Sequence, residues 1–132
     1  MKCGTHPRDS YLVNGDAYTK DCPSRQVLDR IGDTWSVLIV GALDSGPRRY
    51  SELAARIGGI SPKMLTQTLR GLERDGLLTR TVYPEVPPRV DYALTDLGKS
   101  LRGLVGALEG WAEMHIGDVA RARAAYDAYS AK

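Results

Sequence analysis

Four long polar side chains recur along the segment ISPKMLTQTLRGLERDGLL, which spans residues 60–78. On a helix with about 100° between successive residues, one face carries Lys63, Gln67, Arg70 and Arg74. Lysine and arginine donate to phosphates and guanine edges, and glutamine pairs with adenine edges, so this face predicts hydrogen bonding to DNA. None of the four positions is acidic. An ordinary solvated helix face is the alternative that the pattern leaves open.

The same segment contains the signals of a helix that would hold those side chains in place. Ser61 is a typical N-cap and Pro62 suits the first helical position. Asp75 and Gly76 predict the end of the helix near Arg74. The face opposite the donors carries Leu65, Leu69 and Leu72. We therefore expect one buried face and one donor face.

Three shorter helices are predicted before this one. The first begins at Cys22-Pro23, ends at Gly32 and has an apolar side. The second covers the apolar segment TWSVLIVGAL, residues 34–43. The third, SELAARI, is expected to be capped by Ser51, and RRY before it is expected to be a short strand or an extended link. The apolar side chains expected to face inward from the first and third helices are Val27, Leu28, Ile31, Leu53, Ala54 and Ile57.

Two strands and a long helix are predicted to follow. LLTRTVY and RVDYAL alternate in polarity as strands do, and the proline-rich PEVPP between them predicts a stiff hairpin tip. Thr95 is expected to cap the last helix. This order predicts an α+β, mainly α, winged helix-turn-helix in one domain. We divide it into an N-terminal arm at 1–20, a DNA-binding region at 21–95 and a C-terminal helical region at 96–132.

Composition narrows the class of protein. The chain has 132 residues, of which 42% are hydrophobic, enough for one core. Residues 47–89 hold eight basic and four acidic residues, a net charge of +4, which suits a polyanionic partner. No segment predicts a membrane span or a signal peptide, so we expect a cytoplasmic protein. Cys3, Cys22, His6 and His115 form neither a metal-ligand cluster nor a catalytic set, so we expect no metal, no cofactor and no enzyme.

The stretch from Cys22 to Leu101 resembles the HxlR-type family of winged-helix transcription regulators, which are MarR-like. The resemblance rests on CPSRQVLDRIGDTWSVLIVGAL, GPRRYSELAARIGGISPKMLTQTLRGLERDGLLTR and VYPEVPPRVDYALTDLGKSL. It implies a dimer held by the N- and C-terminal helices, a DNA-reading fourth helix and a wing. The long N-terminal arm and the glycine-rich final helix depart from the family pattern.

The predicted DNA contacts follow from the donor face and from this resemblance. We expect Lys63, Gln67 and Arg70 to approach bases in the major groove. Phosphates or the minor groove are expected to be contacted by Ser61, Arg48, Arg49 and Arg89. The predicted interface is completed by Met64, Thr66 and Arg74.

The final helix is the predicted homodimer interface, because its apolar stripe exceeds what one small domain needs to cover. That stripe consists of Leu101, Leu104, Val105, Leu108 and Trp111. Gly103, Gly106 and Gly110 would allow a partner backbone to approach closely. Packing of the whole stripe inside its own chain is the alternative.

The sequence leaves two ways in which DNA binding could be regulated, by oxidation of a cysteine or by a small effector. The resemblance makes Cys22 a candidate sensor of oxidants or electrophiles. A thiol at a helix N-terminus is acidified by the helix dipole, and Lys20 and Arg25 add positive charge. A merely structural role for Cys22 is the alternative. A small apolar effector near Trp35, where the dimer helices meet the winged domain, is a second mode of control.

We predict a repressor, and a winged-helix module that binds protein is the rival class.

Overall fold

The computed structural model describes Tyr18 and residues 23–131. The predictions for the N-terminal arm, apart from Tyr18, and those for Cys3 and Cys22 lie outside these residues. None of the described helices is both long enough and apolar enough to cross a membrane.

Six helices and three strands make up the described chain. They are α1 (Pro23–Gly32), α2 (Thr34–Ala42), β1 (Arg48–Arg49), α3 (Tyr50–Arg56), α4 (Pro62–Arg74), β2 (Leu78–Tyr83), β3 (Arg89–Leu94), α5 (Asp96–Lys99) and α6 (Arg102–Ser130). The strands form one antiparallel sheet in the order β1-β3-β2. This arrangement confirms the predicted winged helix-turn-helix. The sheet has three strands because RRY contributes β1, which the sequence left open between a strand and a link.

The helix α4 begins and ends where its sequence signals predict. The Ser61 hydroxyl oxygen accepts the backbone N–H of Met64 at 3.1 Å, and Pro62 is the first helical residue. Asp75 follows as the C-cap, and Gly76 has a positive φ of 78°, a conformation that costs glycine little. These local signals fix where α4 begins and ends.

The core forms where α2, α3, α4 and the sheet meet. The large apolar side chains with essentially no exposure include Ile39, Leu53, Leu65, Leu69, Leu72 and Leu78. Helix α1 contributes no buried residue. Its predicted apolar side is instead open on this chain, with Val27 54% and Leu28 52% exposed, and Ile31 is partly buried.

The predicted cap of α3 was wrong by two residues. The helix begins at Tyr50, directly after β1, so Ser51 lies inside it and Arg49 is the N-cap. The Glu52 carboxylate accepts the backbone N–H of Arg49 at 2.8 Å, which satisfies the backbone donor of the N-cap residue. Leu53 and Ile57 are buried as predicted, but Ala54 is exposed because it lies about 100° around the helix from Leu53.

The single final helix that the sequence predicted is two helices. The Thr95 hydroxyl caps only α5, accepting the N–H of Gly98 at 3.0 Å and donating to the Gly76 carbonyl at 2.6 Å. Gly98 is buried, and a Cβ at this position would collide with the carbonyl oxygen of Leu77. The short helix is thereby held against the start of β2, and the chain turns before α6 begins at Arg102.

Candidate nucleic-acid interface

The donor face of α4 points away from the core. The side chains of Lys63, Gln67, Arg70 and Arg74 are all exposed. Within the described residues, none of the four forms an ion pair or a side-chain hydrogen bond. Their donors are therefore available for an external acceptor, and the positive charges of Lys63, Arg70 and Arg74 are not compensated by a direct partner.

Three smaller side chains flank that face at its N-terminal half. The Ser61 oxygen is used as the helix cap, but its hydroxyl hydrogen can still donate outward. The Tyr50 hydroxyl donates to the Pro62 carbonyl at 3.2 Å and can accept from the Thr66 hydroxyl, which lies 3.3 Å away. Met64 is 37% exposed. Tyr50 thus ties α3 to the beginning of α4 and holds this end of the donor face in place.

The two arginines of β1, which the sequence grouped together, serve different purposes. Arg48 donates from Nε to the Ala42 carbonyl at 2.7 Å and from Nη2 to the Ser45 hydroxyl at 3.2 Å. It therefore closes the link between α2 and β1. The Arg49 side chain is exposed and donates no hydrogen bond to the described residues, although its charge acts on Asp91 across the sheet.

At the base of the wing, Arg89 is paired within the sheet. Its Nε and Nη2 donate to the two carboxylate oxygens of Asp91 at 3.0 and 2.8 Å. The guanidinium also lies 4.9 Å from the ring centre of Tyr83 on the neighbouring strand. The hydrogen bonds from Arg89 lower the pKa of Asp91, with a smaller contribution from the charge of Arg49. Asp91 in turn compensates much of the positive charge at this position.

Arg80 extends the basic surface from α4 onto the wing, and the predicted interface omitted it. It lies on β2 opposite Tyr92, on the same sheet face as the buried Leu78. Its exposed side chain lines a cleft together with Thr66, Arg70 and Glu73 of α4. The alternation of LLTRTVY carried the signal, because an inward Leu78 places residue 80 on the face that meets α4.

The predicted dimer stripe on α6 divides into an inner and an outer part. Val105 is 5% exposed and belongs to the core of its own chain, and Leu101 is partly buried against that core. Leu104, Leu108 and Trp111 remain 52%, 52% and 59% exposed. The outer part continues along the helix through His115, whose ring stacks on Trp111 at 4.6 Å.

Around that helix, three glycines have open space where a side chain would be. A Cβ added to Gly103, Gly106 or Gly110 would meet no atom within 4 Å. Proteins rarely leave an apolar helix face of this length exposed to water.

A cleft at the junction of α2, α3 and α6 is the nearest match to the predicted effector site. It has a volume of about 220 Å³ and is lined in part by Leu38, Ile57 and Glu109. Ligand pockets usually begin at about 300 Å³. Trp35 is partly buried against the core. Control by a small effector stays a prediction.

The sequence profile of the HxlR-like helix-turn-helix family matches residues 30–120. The chain belongs to this family. It is 46% identical over 112 residues to the uncharacterized HTH-type transcriptional regulator YtfH of Escherichia coli K12. The aligned residues cover 85% of this chain and 89% of that relative. The HxlR resemblance read from the sequence is confirmed. The protein is a helix-turn-helix transcriptional regulator and not an enzyme.

Solved structures of relatives share the fold. A putative transcriptional regulator YtfH from Salmonella typhimurium superimposes with a TM-score of 0.80 at 44% identity, over 83% of this chain and 98% of that one. The redox regulator HypR in its oxidized form gives a TM-score of 0.65 at 38% identity, over 70% of this chain and 96% of that one.

The Arg89–Asp91 pair at the base of the wing should make the stability of the fold depend on pH. Replacing Arg89 with Leu should raise the pKa of Asp91 toward the ordinary aspartate value of about 3.9, because Arg89 is the main cause of its depression. In the native protein the folded pKa lies below the unfolded one. The pair therefore stabilises the fold above the unfolded pKa, and this contribution is lost as pH falls through the folded pKa.

A carbon-detected NMR titration of the Asp91 carboxyl group in both proteins would check this. Arg80→Leu is the control, because it removes an arginine from the opposite face of the same sheet. An Asp91 pKa that is the same with and without Arg89 would show that the pair does not control this carboxylate.

Proposed function

We propose that the protein binds a pseudo-palindromic DNA operator as a homodimer, with α4 in the major groove, and represses transcription. The observation that carries this proposal is the face of α4 with four exposed donors and no partner among the described residues, directly opposite its buried leucines. A helix-turn-helix regulator presents its recognition helix to base edges in this way.

The proposed contacts follow the exposure of each side chain. Lys63, Gln67 and Arg70 approach bases from the middle of α4. Phosphates are contacted by Ser61, Arg74 and Arg49, which lie at the ends of that helix and beside it. Arg80 adds positive charge along the wing, where Arg89 is held by its pair with Asp91. Arg48 supports the interface through the link that it closes.

Dimerisation is supported by the apolar side chains that this chain leaves open. The outer stripe of α6 and the apolar side of α1 are both about half exposed. A second copy related by a two-fold axis would cover the same residues on both chains, as isologous interfaces do. Two α4 helices would then meet two half-sites about one helical turn apart.

A response to oxidants through Cys22 is supported by position and by a relative. Cys22 immediately precedes Pro23, where α1 begins, and a thiol at a helix N-terminus favours the reactive thiolate. The structurally similar HypR is a redox regulator. Because α1 also belongs to the proposed dimer interface, oxidation of Cys22 would change the geometry of the dimer and weaken DNA binding.

Arg70→Ala should reduce affinity for the operator by about 1–3 kcal/mol if Arg70 contacts a base, while affinity for scrambled DNA changes little. Fluorescence anisotropy on DNA from upstream of the protein's own gene would measure both. Arg123→Ala is the matched control, since it removes an exposed arginine from the far end of α6.

An equal loss on all sequences would make Arg70 a phosphate contact, and no loss would remove it from the interface. Six phosphate contacts should also weaken binding about 10³-fold between 50 and 200 mM salt. Binding that scarcely depends on salt would favour the protein-binding module. Adding the protein to an in vitro transcription reaction on the bound promoter should lower transcript yield, and a rise would reverse the assigned sign of regulation.

Leu104→Glu should shift the protein from dimer to monomer, because it places a charge in the centre of the proposed apolar interface. Light scattering coupled to size exclusion would measure the mass in solution. Ala124→Glu adds the same charge about 200° around α6 and should leave the dimer intact. A dimer that survives Leu104→Glu unchanged would place the interface elsewhere.

Mild oxidation should weaken operator binding by the native protein and leave operator binding by Cys22→Ser unchanged. The reason is that a serine hydroxyl is not oxidised under conditions that oxidise a thiol. Anisotropy before and after diamide, followed by a reductant, would show a reversible change. Cys3→Ser is the control for the second thiol. Equal sensitivity of Cys22→Ser and the native protein would give Cys22 a structural role only.

A further inference from the structure

A single ion pair links α1 to the C-terminal end of α4. The Arg30 Nε donates to the Asp75 Oδ2 at 2.9 Å, and Asp75 is the residue that caps α4. The two side chains are 31% and 30% exposed. A pair with this exposure contributes little to the free energy of folding, so its directional geometry is its more important property.

The packing of α4 leaves a place for the Arg30 guanidinium. A Cβ added to Gly71 would overlap the terminal atoms of the Arg30 side chain. Gly71 lies in the interior of α4, where glycine is less favourable than alanine. The glycine thus gives the guanidinium room to lie against the recognition helix and reach Asp75.

Elsewhere the two helices are separated. A groove of about 660 Å³ lies between them, lined on one side by Pro23 and Val27 of α1 and on the other by Met64 and Gln67 of α4. No residue of α1 is buried in this chain. Helix α1 packs on α2, and the Arg30–Asp75 pair is the hydrogen-bonded side-chain contact between α1 and the end of α4.

We propose that Arg30 is a positioning residue that sets the angle of α4 relative to the dimer axis, and that this angle determines which spacing between half-sites the dimer accepts. The inference rests on the proposed dimeric DNA binding, in which α1 belongs to the interface between subunits. An interface helix tied to the recognition helix by a directional pair transmits the symmetry of the dimer to the two α4 helices. Arginine suits this role better than lysine because its planar fork fixes direction as well as charge.

The test compares operators in which the two half-sites stand at the native spacing or one base pair further apart. The native protein should prefer the native spacing by about tenfold or more. In Arg30→Ala that preference should fall by about fivefold or more, while binding to a single half-site stays the same. Arg25→Ala removes an equal charge from the same helix and should retain the native preference.

Gly71→Ala separates positioning from folding. Its methyl group would displace only the end of a flexible side chain, and alanine favours the helix more than glycine does. The melting temperature should therefore stay the same or rise, yet the spacing preference should fall as in Arg30→Ala. In a double-mutant cycle, Arg30→Ala and Asp75→Asn should be non-additive in spacing preference.

Each other outcome overturns the inference in a recognisable way. Unchanged spacing preference in both Arg30→Ala and Gly71→Ala, with specific binding intact, would refute the positioning role and leave the proposed function standing. Equal losses on single half-sites and scrambled DNA, with a salt slope reduced by about one, would make Arg30 a phosphate contact. Absence of specific binding by the native protein would show that the proposed function itself had failed.

Discussion

The burial of one face of α4 determines what its other face can do. Leu65, Leu69 and Leu72 have almost no exposure, and withdrawing three leucines from water is worth several kcal/mol. Rotating α4 to hide its donors would therefore expose that stripe. The polar face is held outward by the core, and the caps at Ser61 and Asp75 fix where the helix begins and ends.

The other elements hold this helix from several sides. Tyr50 anchors its N-terminal end to α3 through the Pro62 carbonyl. Buried Leu78 and Tyr92 place the wing beside it and bring Arg80 next to Arg70. The close contact of Gly98 with the Leu77 carbonyl fixes α5 against the same sheet, so α6 leaves the winged domain in a defined direction. A recognition helix held firmly in its domain and a separate apolar helix face for dimerisation are the two parts that a symmetric DNA-binding dimer requires.

The sequence predicted those features that depend on local chemistry and periodicity. The caps and the two faces of α4 follow from residue types within one segment, and the hairpin follows from alternation around prolines. The α3 cap was mispredicted because a tertiary event, the pairing of β1 with β3, begins that helix at Tyr50. The break before α6 was missed because it depends on contact between Gly98 and Leu77. Likewise, only folding shows that Val105 faces its own core and that Arg48 and Arg89 already have partners.

Hydroxyl-radical footprinting of the native protein on DNA from upstream of its own gene tests the central claim most directly. A symmetric dimer that reads DNA through α4 should leave two protected patches related by a two-fold axis, with centres about one helical turn apart. The protection should also disappear as salt is raised, because exposed arginines provide phosphate contacts. Uniform weak protection of every sequence, or none at low salt, would contradict the assignment of α4 as a sequence-reading helix.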